Sequence, residues 1–163
     1  MSMQVREYRP ADWPQVWPIV REIVRAGDAF VYDPAMTEEQ AHNIWVLGPP
    51  AITLVAVADD RVLGTANAYA NRPGPGAHVS TASFMVADDA RGKGVGTALC
   101  RSVMEWAKER GFVGMQFNAV AESNHRAVDL YRRLGFEIVG TVPGAFRHPT
   151  LGRVGLHVMY CEF

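Results

Sequence analysis

The stretch that most narrows the fold of this chain is FMVADDARGKGVGTALC, residues 84–100. An apolar run ends in two aspartates, Gly92, Gly94 and Gly96 follow at alternate positions, and a helical segment begins at once. Such a junction ends a strand, turns the chain tightly and sets a helix N-terminus beside the strand's end. The first N–H groups of a helix lack internal partners, and its dipole leaves partial positive charge there, so the junction is an anion site. Glycines let the backbone approach a phosphate with no Cβ in the way, and they let successive N–H groups form a nest. Arg91 and Lys93 add charge where a phosphorylated ligand would lie. Taken alone, the same residues also suit a plain strand-to-helix turn with Lys93 merely solvated.

Three glycine patterns compete. The Walker pattern is absent, because Lys93 precedes the last glycines and no Ser or Thr follows a lysine to hold magnesium. The dinucleotide pattern GxGxxG fails as well: Gly92 and Gly94 are followed by Thr97 where the third glycine belongs. What survives is Arg-x-x-Gly-x-Gly, met by Arg91, Gly94 and Gly96.

The rest of the chain reads as strands in runs, broken by a few helices. MQVREYR alternates as a strand does. ADWPQVWPIVREIVRAG reads as an amphipathic helix, with Asp12 as its cap, Gly27 as its stop and Pro18 expected to distort its first turns. DAFVYDPAM is a loop carrying two aromatics, and Thr37 with Gln40 is a capping-box pattern opening a second helix, EEQAHNIWVL. AITLVAVA and VLGTANAYA are hairpin strands turned by Asp59 and Asp60. A rigid NRPGPG loop precedes the strand AHVSTASFMVA, and the glycine loop leads into the helix VGTALCRSVMEWAKERG. VGMQFNAVA is a strand, SNHRAVDLYRRLG a helix capped by Ser123 or Asn124, and two late strands lie near FEIVGTV and VGLHVMYCEF. Strict βαβ alternation fails, so the expected class is α+β, or mixed α/β, with a largely antiparallel sheet.

Composition removes other classes. A chain of 163 residues with 48% hydrophobic and 20% charged residues suits one globular domain, residues 1–163, with a real core. A net charge of −1 argues against a nucleic-acid partner. The longest apolar runs are too short for a membrane span, and MSMQVREYRP lacks a signal-peptide core, so a cytoplasmic protein is expected. Cys100 and Cys161 make no disulfide framework, and the histidines lack partners at ligand spacing, so no metal is expected.

A second signature lies downstream, in NHRAVDLYRRLGFEIVG. Asn124, Ala127, Leu130, Tyr131, Gly135 and Phe136 fall in the register Asn-x-x-Ala-x-x-Leu-Tyr-x-x-x-Gly-Phe. Together with the glycine loop, this resembles the GCN5-related N-acetyltransferase (GNAT) superfamily over residues 5–140. The resemblance implies a central, mostly antiparallel twisted sheet of about six to seven strands flanked by about four helices. It also implies acetyl-CoA as co-substrate. Backbone amides of Arg91, Gly92, Lys93, Gly94, Val95, Gly96 and Thr97 would bind its pyrophosphate. The strand edge at Met85 and Val86 would pair with the pantetheine arm, and an amide there would polarise the thioester carbonyl. Asn124 would hydrogen-bond the cofactor, and Tyr131 would protonate the leaving thiolate. On the residues alone, Asn124 also suits a helix cap and Tyr131 core packing. A phenol of pKa ~10 giving its proton to a thiolate of ~8.5 is uphill by roughly 2 kcal/mol, which is feasible.

Many members of the superfamily carry a glutamate on the strand before the glycine loop, whereas here that strand reads HVSTASFMV. The general base stays open between His78, whose intrinsic pKa suits the task, the weaker Glu122 and a water relay. His78 equally suits a loop-border role. Asp88 and Asp89 read as turn or capping residues. The resemblance builds the acceptor wall from Phe30, Tyr32, Thr81 and Asn118. GDAFVYDP, HVSTASFMV and FNAVAESN look most like a subgroup that acetylates small amino acids and proline analogues such as azetidine-2-carboxylate. Asn118 equally suits a strand-end hydrogen bond.

The function expected is acetyl-CoA-dependent N-acetylation of a small primary or secondary amine, by direct attack in a ternary complex. The alternatives are a protein N-terminal or lysine acetyltransferase and a non-catalytic acyl-CoA sensor. The two late strands suit a homodimer.

Overall fold

A computed structural model describes residues 2–163. Its strands are β1 (Gln4–Glu7), β2 (Ile52–Ala58), β3 (Arg61–Ala70), β4 (Val79–Val86), β5 (Gly114–Ala121), β6 (Glu137–His148) and β7 (Gly152–Glu162). Its α-helices are α1 (Trp13–Ala26), α2 (Glu38–Trp45), α3 (Val95–Glu109) and α4 (His125–Arg133). The strands form one seven-stranded sheet in the order β1-β2-β3-β4-β5-β7-β6. Every neighbouring pair is antiparallel except β4 and β5. This is the α+β class expected, with the mostly antiparallel sheet.

Local signals explain most boundaries. Asp59 and Asp60 take positive φ of 50° and 61°, the left-handed pair that a tight two-residue hairpin turn needs. α2 starts on the Thr37–Gln40 capping box, with both reciprocal bonds made. It ends at Trp45, two residues before the expected Leu47. There Thr53 Oγ1 accepts from the Leu47 amide at 2.8 Å and Asn67 Nδ2 donates to the Trp45 carbonyl at 3.1 Å, replacing helical bonds.

The expected cap of α1 is a correction. Asp12 holds the cap position, but its side chain makes no cap bond. Pro14 removes one of the two amides, at the second and third helical positions, from which a cap could accept. The carboxylate instead takes two bonds of 2.9 Å from Arg6 and one of 2.7 Å from the Arg9 amide. α1 also runs unbroken through Pro18, because Val16, Ile19, Val20 and Val24 bury one face against the sheet.

α3 lies close against the sheet because β3 offers Gly64. A Cβ there would come within 2.8 Å of Val95 Cγ1 and 3.0 Å of the Met85 carbonyl. Val95, Leu99, Val103 and Ala107, spaced at helical intervals, bury fully on this face. No described helix is long and apolar enough to cross a membrane.

Candidate active site

The parallel strands β4 and β5 pair at two positions, Val79 with Gly114 and Ser80 with Met115. β4 then continues to Val86 and β5 to Ala121, so the strands part and leave a cleft toward their C-terminal ends. The β3–β4 ladder decides which amides face it. The Asn71 amide donates to the Val79 carbonyl at 2.8 Å, and the Ala87 amide to the Leu63 carbonyl at 2.9 Å. Bonded and non-bonded residues alternate in an antiparallel pair. Thr81, Ser83 and Met85 therefore direct their backbone groups to β3, while Ala82, Phe84 and Val86 direct theirs to the cleft. Of the two positions expected from sequence, Val86 presents its amide and Met85 does not. Phe84, which sequence reasoning missed, joins Val86.

At the C-terminal end of β4 the chain turns through the glycine loop. Gly92 and Gly94 have φ of +77° and +80°, a conformation strained for L side chains. Nothing lies within 4 Å of a Cβ built at either. The first intrahelical bond of α3 runs from the Ala98 amide to the Gly94 carbonyl, so the amides of Val95, Gly96 and Thr97 lack helical partners. Arg91 and Lys93 are exposed beside them, and Arg91 Nε lies 3.6 Å from Asp88. Open space, free amides and two cations fit a diphosphate.

α4 closes one side of the cleft. Asn124, not Ser123, caps it: Asn124 Oδ1 accepts from the Ala127 amide at 3.4 Å, which leaves Nδ2 available as a donor. Tyr131 is half-buried, its ring centred 4.5 Å from Phe117 and 6.0 Å from both Phe84 and Phe136. Burial pushes its phenol well above the ordinary value, and the Cys100 thiol adds to the shift. A phenol so placed stays protonated at neutral pH, and the same rise makes it a weaker acid toward a thiolate.

Cross-strand partners share a sheet face, so the pairs Tyr69–Thr81 and Asn67–Ser83 lie together. This is the α2 face, since the Trp45 indole donates to Thr65 Oγ1 at 3.0 Å. Phe30 stacks on Tyr32 at 5.5 Å and meets Trp45 edge-on at 6.3 Å. Burial raises the Tyr32 phenol, with Tyr69 adding and Ser83 opposing. Asn118 reaches the wall from β5: its Nδ2 donates to Asn71 Oδ1 at 2.7 Å. Phe84 and Ala66 pair on the opposite face, the face of Tyr131. The cleft thus lies between the two faces of the sheet, with the glycine loop and Tyr131 on one side and Phe30, Tyr32 and Thr81 on the other.

Other candidates have different surroundings. His78 is exposed at the closed end of the β4–β5 pair, where its carbonyl accepts from the Val113 amide at 2.9 Å. At about 3.3 Å per residue, roughly 20 Å of strand separates it from Phe84. Glu122 accepts from the Gly155 amide at 2.7 Å. Asp89 pairs with Arg61, which holds its carboxyl below the usual range. Asn67, Tyr69, Asn71, Ser83 and Gln116 were missed; strand alternation would have found Ser83 from Thr81 and Gln116 from Asn118, but the others need the register. Among the described residues no cluster of three or more His, Cys, Asp or Glu is placed to hold a metal.

Known proteins share this architecture. The family model described as the acetyltransferase (GNAT) family matches residues 7–136. The chain is 31% identical over 149 residues to the L-methionine sulfoximine/L-methionine sulfone acetyltransferase of Pseudomonas aeruginosa, covering 88% of this chain and 85% of that protein. A GCN5-related N-acetyltransferase from Kribbella flavida superposes with a TM-score of 0.96 at 57% identity, covering 99% of this chain and 98% of that one. A GNAT superfamily phosphinothricin acetyltransferase from Sinorhizobium meliloti, solved in complex with AcCoA, gives 0.87 at 26% identity, covering 100% and 89%.

Proposed function

The chain belongs to the acetyltransferase (GNAT) family, and from that membership we propose that it moves the acetyl group of acetyl-CoA onto the amine of a small, amino-acid-like acceptor by direct attack. The observation that carries this reading is the β4–β5 cleft, which opens to Tyr131 on one face and to an uncharged polar wall on the other. The relatives support it: one is named for L-methionine sulfoximine and L-methionine sulfone, another for phosphinothricin.

Acetyl-CoA supplies an acyl group already activated as a thioester. In this reading the amides of residues 91–97, with Arg91 and Lys93, hold its diphosphate. The Phe84 and Val86 amides, free at the cleft edge, align the pantetheine arm and polarise the acyl oxygen. Asn124 Nδ2 donates to the same arm while Oδ1 caps α4. Tyr131 holds the proton that the departing thiolate takes. Phe30 and Tyr32 exclude water from the acceptor chamber, and Thr81 and Asn118 orient the acceptor. Glu122, Asp88 and Asp89 are held by Gly155, Arg91 and Arg61. In this reading the acceptor loses its proton through a water relay.

Thiol release from acetyl-CoA tests this reading against free amino acids, L-methionine sulfone, L-methionine sulfoximine, phosphinothricin, polyamines and short peptides. Turnover with the amino-acid group supports it. Turnover confined to peptides overturns it.

A further inference from the structure

The side-chain oxygen of Asn67 is buried on the acceptor face and makes no hydrogen bond. Asn67 lies in β3 between Thr53 of β2 and Ser83 of β4, and it is 2% exposed. Its Nδ2 donates to the Trp45 carbonyl at 3.1 Å. A carbonyl only accepts, so this bond fixes the amide's orientation and sends Oδ1 the other way. Thr53 Oγ1 also lies 3.4 Å from the Trp45 carbonyl, which puts that carbonyl on the β2 side of Asn67. Oδ1 therefore faces β4 and Ser83.

An unpaired buried carbonyl is destabilising, and the polar groups beside this one are engaged. Thr65 Oγ1 accepts from the Trp45 indole and donates to the Leu54 carbonyl, and Thr53 Oγ1 accepts from the Leu47 amide. The Tyr32 phenol lies beside Ser83 and Tyr69, which flank Asn67 on this face, so its ring covers that part of the sheet. The loop that carries Tyr32 leaves α1 at Gly27, with φ of +67°. Among the described residues none bonds backbone to backbone with residues 28–32, so little holds this cover in place. Ser83 precedes Phe84, whose amide faces the cleft. Asn67 is thus one residue step along the strand, roughly 3.3 Å, from the level of Phe84.

Only a donor suits such an oxygen. A carboxylate or sulfone would meet it oxygen to oxygen, whereas an amine or its ammonium form brings N–H groups. The amine is also the group that must stand beside the acyl carbon, near Phe84. We propose that the acceptor takes the place of the Tyr32 ring and gives one amine N–H to Asn67 Oδ1. A neutral amide oxygen is no base, so the bond orients the amine and leaves its lone pair for the acyl carbon once the relay has removed the proton. This rests on the proposed small-amine reading and deepens it.

The test is calorimetric binding to the full chain saturated with coenzyme A. The ligands are the fastest amino-acid acceptor of the thiol-release panel and its des-amino analogue (for L-methionine sulfone, 4-(methylsulfonyl)butanoic acid). Asn67→Leu keeps the shape and removes the oxygen; Asn67→Ala is a second variant with the same expectation, and melting temperatures check that both fold. Asn67→Asp keeps an oxygen in place and loses the amide N–H that bonds Trp45. The parent is expected to bind the amine at least tenfold tighter than the analogue. Asn67→Leu should lose that preference, with analogue binding and KM for acetyl-CoA within twofold of the parent, and Asn67→Asp should keep it. A parent without the preference, or an Asn67→Leu that retains it, overturns the assignment and leaves the small-amine reading standing. Equal loss in Asn67→Leu and Asn67→Asp traces the effect to the Trp45 bond and overturns the assignment too. A parent that turns over no amino acid overturns the assignment and the small-amine reading together.

Discussion

Gly96 on α3 and Leu130 on α4 meet with no room for a side chain between them: a Cβ on Gly96 would lie 3.1 Å from Leu130 Cδ1. Leu130 adjoins Tyr131, so this contact couples the first turn of the glycine-loop helix to the phenol. Gly96→Ala is expected to shift Leu130 by a few tenths of an ångström and lower turnover several-fold, with acetyl-CoA affinity less affected. Gly94→Ala acts differently, because Gly94 has φ of +80° with open space around it. It should cost about 1–2 kcal/mol through the left-handed backbone and raise KM for acetyl-CoA. Thermal melting and both KM values separate the two variants; identical profiles would contradict the distinction.

Tyr131→Phe keeps a ring of the same shape against Phe117, 4.5 Å away, and removes only the hydroxyl. A general acid contributes typically 100-fold or more. Turnover should fall on the order of 100-fold, with KM for acetyl-CoA and the melting temperature near the parent's. Unchanged turnover would remove Tyr131 from the proton-donor role.

The same residue sets an alkaline stability limb. Its folded pKa stands above the unfolded value of about 10. The folded state then binds the proton more tightly, so this contribution is fully present below about pH 10 and is lost as pH rises through the folded value. Chemical denaturation between pH 8 and 11 should show stability falling in the parent and falling less steeply in Tyr131→Phe.

Asp12 gives the opposite limb. Arg6 is the largest cause that holds its carboxyl below the usual range, and the Arg9 amide adds to it. Stability from this group is present above about pH 3.9 and is lost as pH falls through the depressed folded value. Asp12→Asn should cost about 2 kcal/mol at pH 7 and flatten the acid limb measured by denaturation from pH 5 to 2.

What could be read from sequence was local in sequence. The glycine loop, the Thr37–Gln40 box and the turn at Asp59 and Asp60 each carry their geometry in consecutive residues. What could not be read depends on partners far along the chain. Asp12 leaves its cap role because Arg6 reaches it from β1. Phe84 rather than Met85 faces the cleft because of a ladder fixed by β3. Asn71 joins Asn118 because β5 lies beside β4 only after α3 crosses over, a relation that no spacing between the two asparagines encodes.

The acceptor's own basicity should govern rate. Glu122 is engaged by Gly155, and Asp88 and Asp89 by Arg91 and Arg61; a water relay as proton acceptor, the reading proposed above, predicts that the free-amine fraction enters the rate directly. At pH 7 an α-amine of pKa about 8 must lose about 1.4 kcal/mol to deprotonate, and a lysine-like amine of about 10.4 must lose about 4.6. The difference corresponds to roughly 250-fold in free amine. kcat/KM for an α-amino acceptor should therefore rise tenfold per pH unit and level off near pH 8, whereas a terminal alkylamine should keep rising toward pH 10. A shared plateau below pH 7 for both acceptors would mean that a side chain of the enzyme takes the proton, and Glu122→Gln would then be the variant to abolish it.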